Sequence, residues 1–167
     1  MPEKETLQRA RKAKRRGKAP TTQAGEFIRE EFHHIREGKH GARSPEQAIA
    51  IGLSKARRAG VKVRPPRRGA VSEETRKGAE RDYRRGQSGT RHATSSRRSR
   101  ATLHALERES HAAGSKRAIA AHSHRAAERR SPSERRKSAL EAAHSRTHAE
   151  RSRSARKAAR TRASRSQ

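Results

Sequence analysis

The chain has 167 residues, with 45 Lys and Arg against 17 Asp and Glu, a net charge of +28, 28% hydrophobic and 2% aromatic residues, and no cysteine. That composition excludes a disulfide framework and a thiolate metal site, and it leaves little material for a core. A self-repelling polycation becomes compact by neutralisation against a polyanion, so nucleic acid is the expected partner.

The opening "MPEKETLQRARKAKRRGKAP" lacks the apolar run of a secretory signal, and a cytoplasmic location is expected. Residues 1–19 read as a basic arm, able to be helical around Leu7 and ended by Gly17 and Pro20. Thr22 is then the expected N-cap of a helix over residues 23–37, with Ala24, Ile28, Phe32 and Ile35 on one stripe and Phe27 on its flank. Gly38 is its expected stop.

The run Ser44-Pro45-Glu46-Gln47 is the strongest local signal: an N-cap serine, a proline at the first helical position and a glutamine at the third. The helix it opens should cover residues 45–59 and stop at Gly60, placing Ile49, Gly52, Leu53 and Ala56 against the first stripe in a helical hairpin. A hairpin module of residues 20–63 is small for an independent core, so a homodimer through the hairpin, or ligand binding, is expected to make up the shortfall. Ile51 lies opposite Ile49 among Lys55 and Arg58, and reads as a single exposed isoleucine.

Pro65 and Pro66 impose an extended linker over residues 64–71 that carries Arg64, Arg67 and Arg68. Ser72-Glu73-Glu74 caps a short helix over residues 72–85. Residues 86–167 form a low-complexity Ala/Arg/Ser/His tail with only four large apolar residues, Leu103, Leu106, Ile119 and Leu140, against thirteen in residues 1–83. The tail cannot offset its ordering entropy by burial and should be largely disordered or conditionally helical. Its latent helices are expected near residues 101–112, 115–130 and 132–150, the last opened by Ser131-Pro132-Ser133-Glu134. The fold class is therefore all-α, a short hairpin with a long basic tail.

Of the cations 34 are Arg and 11 Lys, which favours bidentate phosphate contacts. The nucleic-acid-binding candidates are Arg11, Lys12, Lys14, Arg15 and Arg16 in the arm, and Lys39, Arg43, Lys55, Arg57 and Arg58 around the hairpin. With them go Arg64, Arg67 and Arg68 in the linker, and Arg97, Arg98, Arg100, Arg129, Arg130, Arg135, Arg136, Arg156, Lys157 and Arg160 in the tail. Ten histidines include His122 and His124 and the i, i+4 pair His144 and His148, but with arginine on every side no metal site and no cofactor is expected. The carboxylates are spaced as helix caps and salt-pair members, with no nucleophile beside a base, so no catalytic residue and no enzyme is expected. A basic face is nowhere paired with a broad apolar one, so no membrane partner is expected.

The segments "GEFIREEFHHIREGKHGARSPEQAIAIGLSKARRAGVKV", "SEETRKGAERDYRRG" and "SRRSRATLHALERESHAAGSKRAIAAHSHRAAERR" resemble a family of small basic bacterial proteins that carry a domain of unknown function and are commonly labelled DNA-binding protein. The resemblance implies a bacterial, cytoplasmic protein. The tail is similar in kind to linker-histone tails, although those are Lys-rich. Taken together, these readings lead to an expected non-sequence-specific, nucleoid-associated or histone-like DNA-binding and compacting protein. The alternative is an RNA-binding or ribosome-associated structural protein, and the near absence of stacking aromatics tilts the balance toward duplex DNA.

Overall fold

The computed structural model describes residues 2–89, 95–144 and 147–164, and among these it is all-helical. The elements are α1 (Lys4–Arg15), α2 (Pro20–Arg36), α3 (Pro45–Arg58), α4 (Glu73–Gln87), α5 (Ser96–Glu107), a 3₁₀ turn (His111–Gly114), α6 (Lys116–Glu128), α7 (Pro132–His144) and α8 (His148–Ala163). The chain divides into a compact unit that ends at His122 and a second that starts at Ser123.

Local chemistry sets most helix ends. Ser44 Oγ accepts from Gln47 N–H at 3.3 Å, while the Gln47 side chain accepts from Arg43 N–H at 2.6 Å, so the expected cap holds with its return bond displaced by one residue. Helices α1, α2 and α3 each end on a glycine of positive φ: Gly17, Gly38 and Gly60. At α2 the paired bonds Gly38 N–H to Ile35 O and Lys39 N–H to His34 O form a Schellman motif. The start of α2 differs from expectation, since Ala19 is its N-cap and Pro20 its first residue, with Thr22 inside the first turn. A proline at that position gives up no hydrogen bond and has its φ already set.

The α2–α3 pair is the centre of the first unit. Its seam on α3 is built from small residues, Ala48, Gly52 and Ala56, which are buried, while Ile49 and Leu53 are only half-buried at its sides. On α2 the buried set is Gln23, Ala24, Phe27, Glu30, Glu31, Phe32 and Ile35; Phe27 is fully buried rather than flanking, and Ile28 is half-buried. The reason is the closeness of the two backbones: a Cβ placed on Gly52 would lie 2.8 Å from Ile28 Cα. Larger side chains then have room only beside the seam. One apolar cluster gathers Ala10, Ala24, Phe27, Ala56, Val61 and Val63 with Leu7 and Leu53. A second gathers Phe32, Ile35, Ala42, Ala48 and Ala113 with Ile28, Ile49 and Ile119.

Three segments expected to stand apart dock on this pair. Helix α1 is no free arm, because Thr6 and Ala10 are buried and Arg9 Nε donates to Glu26 at 3.1 Å. Helix α4 packs on α3, with Ala79 buried. Residues 106–119 also join the core: Gly41 N–H donates to Leu106 O at 2.9 Å and Ala42 N–H to Ser110 O at 3.0 Å. Gly114 sits so close to α2 that an added Cβ would lie 2.7 Å from Ile35 Cγ2. This part of the expected disordered tail is held by backbone hydrogen bonds and a few small apolar contacts, which a count of large apolar residues does not register.

In the second unit no described residue is buried. Helix α7 opens on the expected box, with Glu134 N–H donating to Ser131 Oγ at 3.2 Å and Ser131 N–H to Glu134 Oε2 at 2.9 Å. The expected single helix over 132–150 is instead two, because Thr147 and Glu150 form a second capping box that starts α8. His144 and His148 therefore do not share a helix face.

The close seam makes Gly52 the most sensitive position of the fold. A Gly52→Val substitution must push α2 and α3 apart and should destabilise the protein by about 1–3 kcal/mol, the usual cost of overpacking. Ala50→Ser, on the exposed side of α3, should change stability by less than about 0.5 kcal/mol. Urea denaturation followed by circular dichroism checks both.

Candidate nucleic-acid interface

The candidate cations divide into two physical groups. Lys55 and Arg57 face inward. Lys55 Nζ pairs with Glu31 Oε1 and lies 3.8 Å from Glu30, both carboxylates being buried in α2. Arg57 is 5% exposed, and its guanidinium donates to Val63 O at 3.1 Å and to Arg64 O at 3.4 Å. Burial pulls the Arg57 pKa down, opposed by the charge of Asp82. These two side chains bind their own fold, so they are corrected from phosphate ligands to structural groups. Their i, i+2 spacing beside Arg58 gave no sign of this, because the turn after Gly60 brings the Val63 carbonyl back under α3.

The other candidates lie at the surface, with Arg11, Lys12, Lys14, Arg15 and Arg16 exposed on the C-terminal half of α1 and just beyond it. Arg64, Arg67 and Arg68 are exposed on the extended segment after α3. Ala10 and Val63 share one apolar cluster, so the tertiary fold anchors these two basic stretches on the same core. Along residues 61–64 burial alternates, Val61 and Val63 in, Lys62 and Arg64 out, as an extended chain requires. Lys39 is exposed but pairs with Glu37 at 3.0 Å and Glu3 at 3.5 Å, the Glu37 hydrogen bond first among the causes that raise its pKa. Arg43 lies 3.6 Å from Glu109, and Arg58 3.9 Å from Asp82.

Arg97, Arg98 and Arg100 are exposed on α5. In the second unit Arg129, Arg130, Arg135, Arg136, Arg156, Lys157 and Arg160 are all exposed. On α8 the residues Arg153, Arg156, Lys157 and Arg160 recur at helical spacing and line one face, and Glu150 is the only acid in residues 142–167. A helix that is polar all round gains little from packing against its own protein. Helix α4 is different, since Arg76 pairs with Glu73 at 2.6 Å and Arg84 with Glu80 at 2.5 Å.

Of the histidines singled out, His122 Nδ1 bonds Glu46 Oε1 at 2.8 Å, tying α6 to the first turn of α3, and His124 lies 3.7 Å from Glu128. The His122 hydrogen bond, followed by those from the Glu46 backbone and Ser44, lowers the Glu46 pKa to about 2. Another group was missed: Glu31, His34 and His40 place their ligand atoms within 4.8 Å of one another. The Glu31/His34 spacing of three residues was the available sign, but His40 lies beyond the Gly38 stop, outside the helical pattern.

Residues 11–68 match DUF6496, a family of unknown function. The match spans α2, α3 and the basic stretches on either side, and it carries no activity with it. No curated protein and no solved structure matches the chain. No helix among the described residues is long and apolar enough to cross a membrane.

Two outcomes follow for these side chains. Arg57→Ala should lower stability by about 1–3 kcal/mol by stripping two carbonyls of their donor, whereas Arg64→Ala should leave the melting transition in place; thermal denaturation of both separates structural from surface cations. Because the Glu46 pKa is depressed in the folded state, its stabilisation is present above about pH 4.5 and is lost as the pH falls toward 2. The stability difference between wild type and Glu46→Gln, measured from pH 6 to pH 2, should accordingly shrink across that window.

Proposed function

We propose that this protein binds duplex DNA through its phosphates, without sequence specificity, and compacts it as a nucleoid-associated, histone-like protein of the bacterial cytoplasm. The observation that carries the reading is the second unit. Residues 123–167 hold 14 Lys and Arg against 4 Glu, no described residue there is buried, and α8 presents Arg153, Arg156, Lys157 and Arg160 along one face. A helix with so little internal return is stabilised when phosphates neutralise its charge, and released counterions drive the association. The first unit adds exposed arginines on α1 and on the extended segment, carried on a packed scaffold. Backbone contacts of this kind position a protein and carry no sequence information. Neither catalysis nor a membrane partner enters the reading.

The test is a salt titration of binding to two unrelated duplexes. Both should give the same affinity and the same steep slope of log K against log salt. Replacing Arg153, Arg156, Lys157 and Arg160 with Gln should reduce that slope by up to about 3.6, at about 0.9 per phosphate contact. Residues 1–122 alone, with 31 basic and 13 acidic residues, should still bind, with a smaller slope. A strong preference for one duplex, tighter binding to RNA than to DNA, or a slope unchanged by the α8 substitutions would each overturn the reading.

A further inference from the structure

Beneath this basic surface lies a side-chain cluster of the opposite character. Glu30 and Glu31 are 2% and 0% exposed, on the inner face of α2. Glu3 reaches over from the start of α1, its backbone N–H donating to Glu30 at 3.3 Å and its carboxylate meeting His34 Nε2 at 2.9 Å. His40 is buried in the loop that follows α2, with its ring 5.9 Å from that of His34 in an edge-to-face arrangement. The charged groups in and around the cluster are Glu3, Glu30, Glu31 and Glu37 against Lys39 and Lys55. With neutral histidines the balance is negative, in a protein of net charge +28.

One atom in this cluster is unaccounted for. Glu31 Oε2 is the only buried side-chain oxygen or nitrogen without a hydrogen bond among the described residues. Its sister oxygen is taken by Lys55, and His40 Nε2 stands 3.6 Å from Oε2, beyond hydrogen-bond reach. An unpaired carboxylate oxygen in the interior is expensive, and such atoms call for a ligand or a water.

The histidines are prepared to supply one. His40 Nδ1 bonds Gly41 O at 3.1 Å, and since a carbonyl only accepts, that nitrogen is the donor; in the neutral ring Nε2 then holds the lone pair, on the side of Glu31. His34 likewise has one nitrogen engaged with the Glu3 carboxylate. A ring nitrogen donated to a carbonyl or carboxylate is the usual support of a metal-binding histidine, because it sets the tautomer and the ring orientation. Metal–ligand bonds of about 2.0–2.1 Å at tetrahedral angles set ligands about 3.3–3.5 Å apart. The 3.6 Å between His40 Nε2 and Glu31 Oε2 is close to that spacing. The widest pair, within 4.8 Å, must draw in by at most about 1.5 Å.

We propose that Glu31, His34 and His40 bind one divalent transition-metal ion of the zinc class, with Glu3 as the positioning residue of His34. The two histidines and one carboxylate leave a fourth position for water, and Lys55 retains the other Glu31 oxygen. The ion ties α2 to the 38–42 loop, whose Gly41 and Ala42 amides hold residues 106–110. Its effect is therefore structural, on the docking of the segment that closes the second apolar cluster. The cations nearest the cluster, Lys39 and Lys55, are each paired with carboxylates, Lys39 with Glu37 and Lys55 with Glu30 and Glu31, which offsets their repulsion of an ion.

The test uses the full chain, stripped with a chelator and titrated with Co²⁺ and then with Zn²⁺ in competition. The expected result is one tight equivalent with the visible d–d absorption of tetrahedral cobalt, displaced by zinc, and a higher melting temperature when loaded. Glu3→Gln should weaken that equivalent by about 10- to 100-fold. His40→Ala should abolish it, while His144→Ala with His148→Ala should leave it intact. Should His40→Ala fail to fold, paramagnetic broadening by Co²⁺ in the wild-type protein answers the same question, since the His34 and His40 ring signals should be lost first. No tight equivalent in the wild type, an equivalent that survives in folded His40→Ala, or broadening that begins at other histidines overturns the proposal.

Discussion

The close crossing of α2 over α3 is the constraint on which the rest of the structure depends. Gly52 lets the α3 backbone meet Ile28 directly, and Ala48 and Ala56 extend the seam above and below. Two helices this near can bury small residues with good complementarity, which is how a chain with few large apolar side chains still forms a core. The cost is that Ile49 and Leu53 are displaced to the sides, where each needs a further element to cover it. Val61 and Val63 with α1 meet that need on one side, and residues 113–119 meet it on the other. The cover that a second copy of the chain was expected to provide comes in part from the chain itself.

Acidic residues are few in this protein, and the fold spends several of them inside. Glu26, Glu30 and Glu31 sit along α2 and hold Arg9, the Glu3 backbone and Lys55. Their pairing removes cations from the surface and fixes α1 and α3 about α2. The outer surface is left strongly basic, most fully in the second unit, where Glu150 stands nearly alone among arginines on α8. A packed, locally acidic interior beneath a basic surface separates the charges that hold the fold from those left exposed.

Much of this was legible in the sequence because it is decided within a few residues. The Ser44 and Ser131 caps, the glycine stops after α2 and α3, the all-helical class and the exposure of most arginines follow from local hydrogen bonding, φ preference and charge. What the sequence could not decide depends on residues far apart. Whether Ile49 or Ala48 faces the seam is set by how near α2 comes, and that nearness depends on Gly52 meeting Ile28. Lys55 and Arg57 look like their neighbour Arg58 until the buried Glu31 and the returning Val63 carbonyl claim them. Residues 106–119 read as tail because their contribution is backbone amides and small side chains, which carry no hydrophobic pattern. His40 joins Glu31 and His34 only because the turn at Gly38 folds the loop back beside α2, and such a meeting across a turn has no periodicity by which to announce itself. Sequence alone thus determined the helices and the charge; the tertiary structure decided which of those charges are spent on the fold, since burial is a property of neighbours that only packing brings into contact.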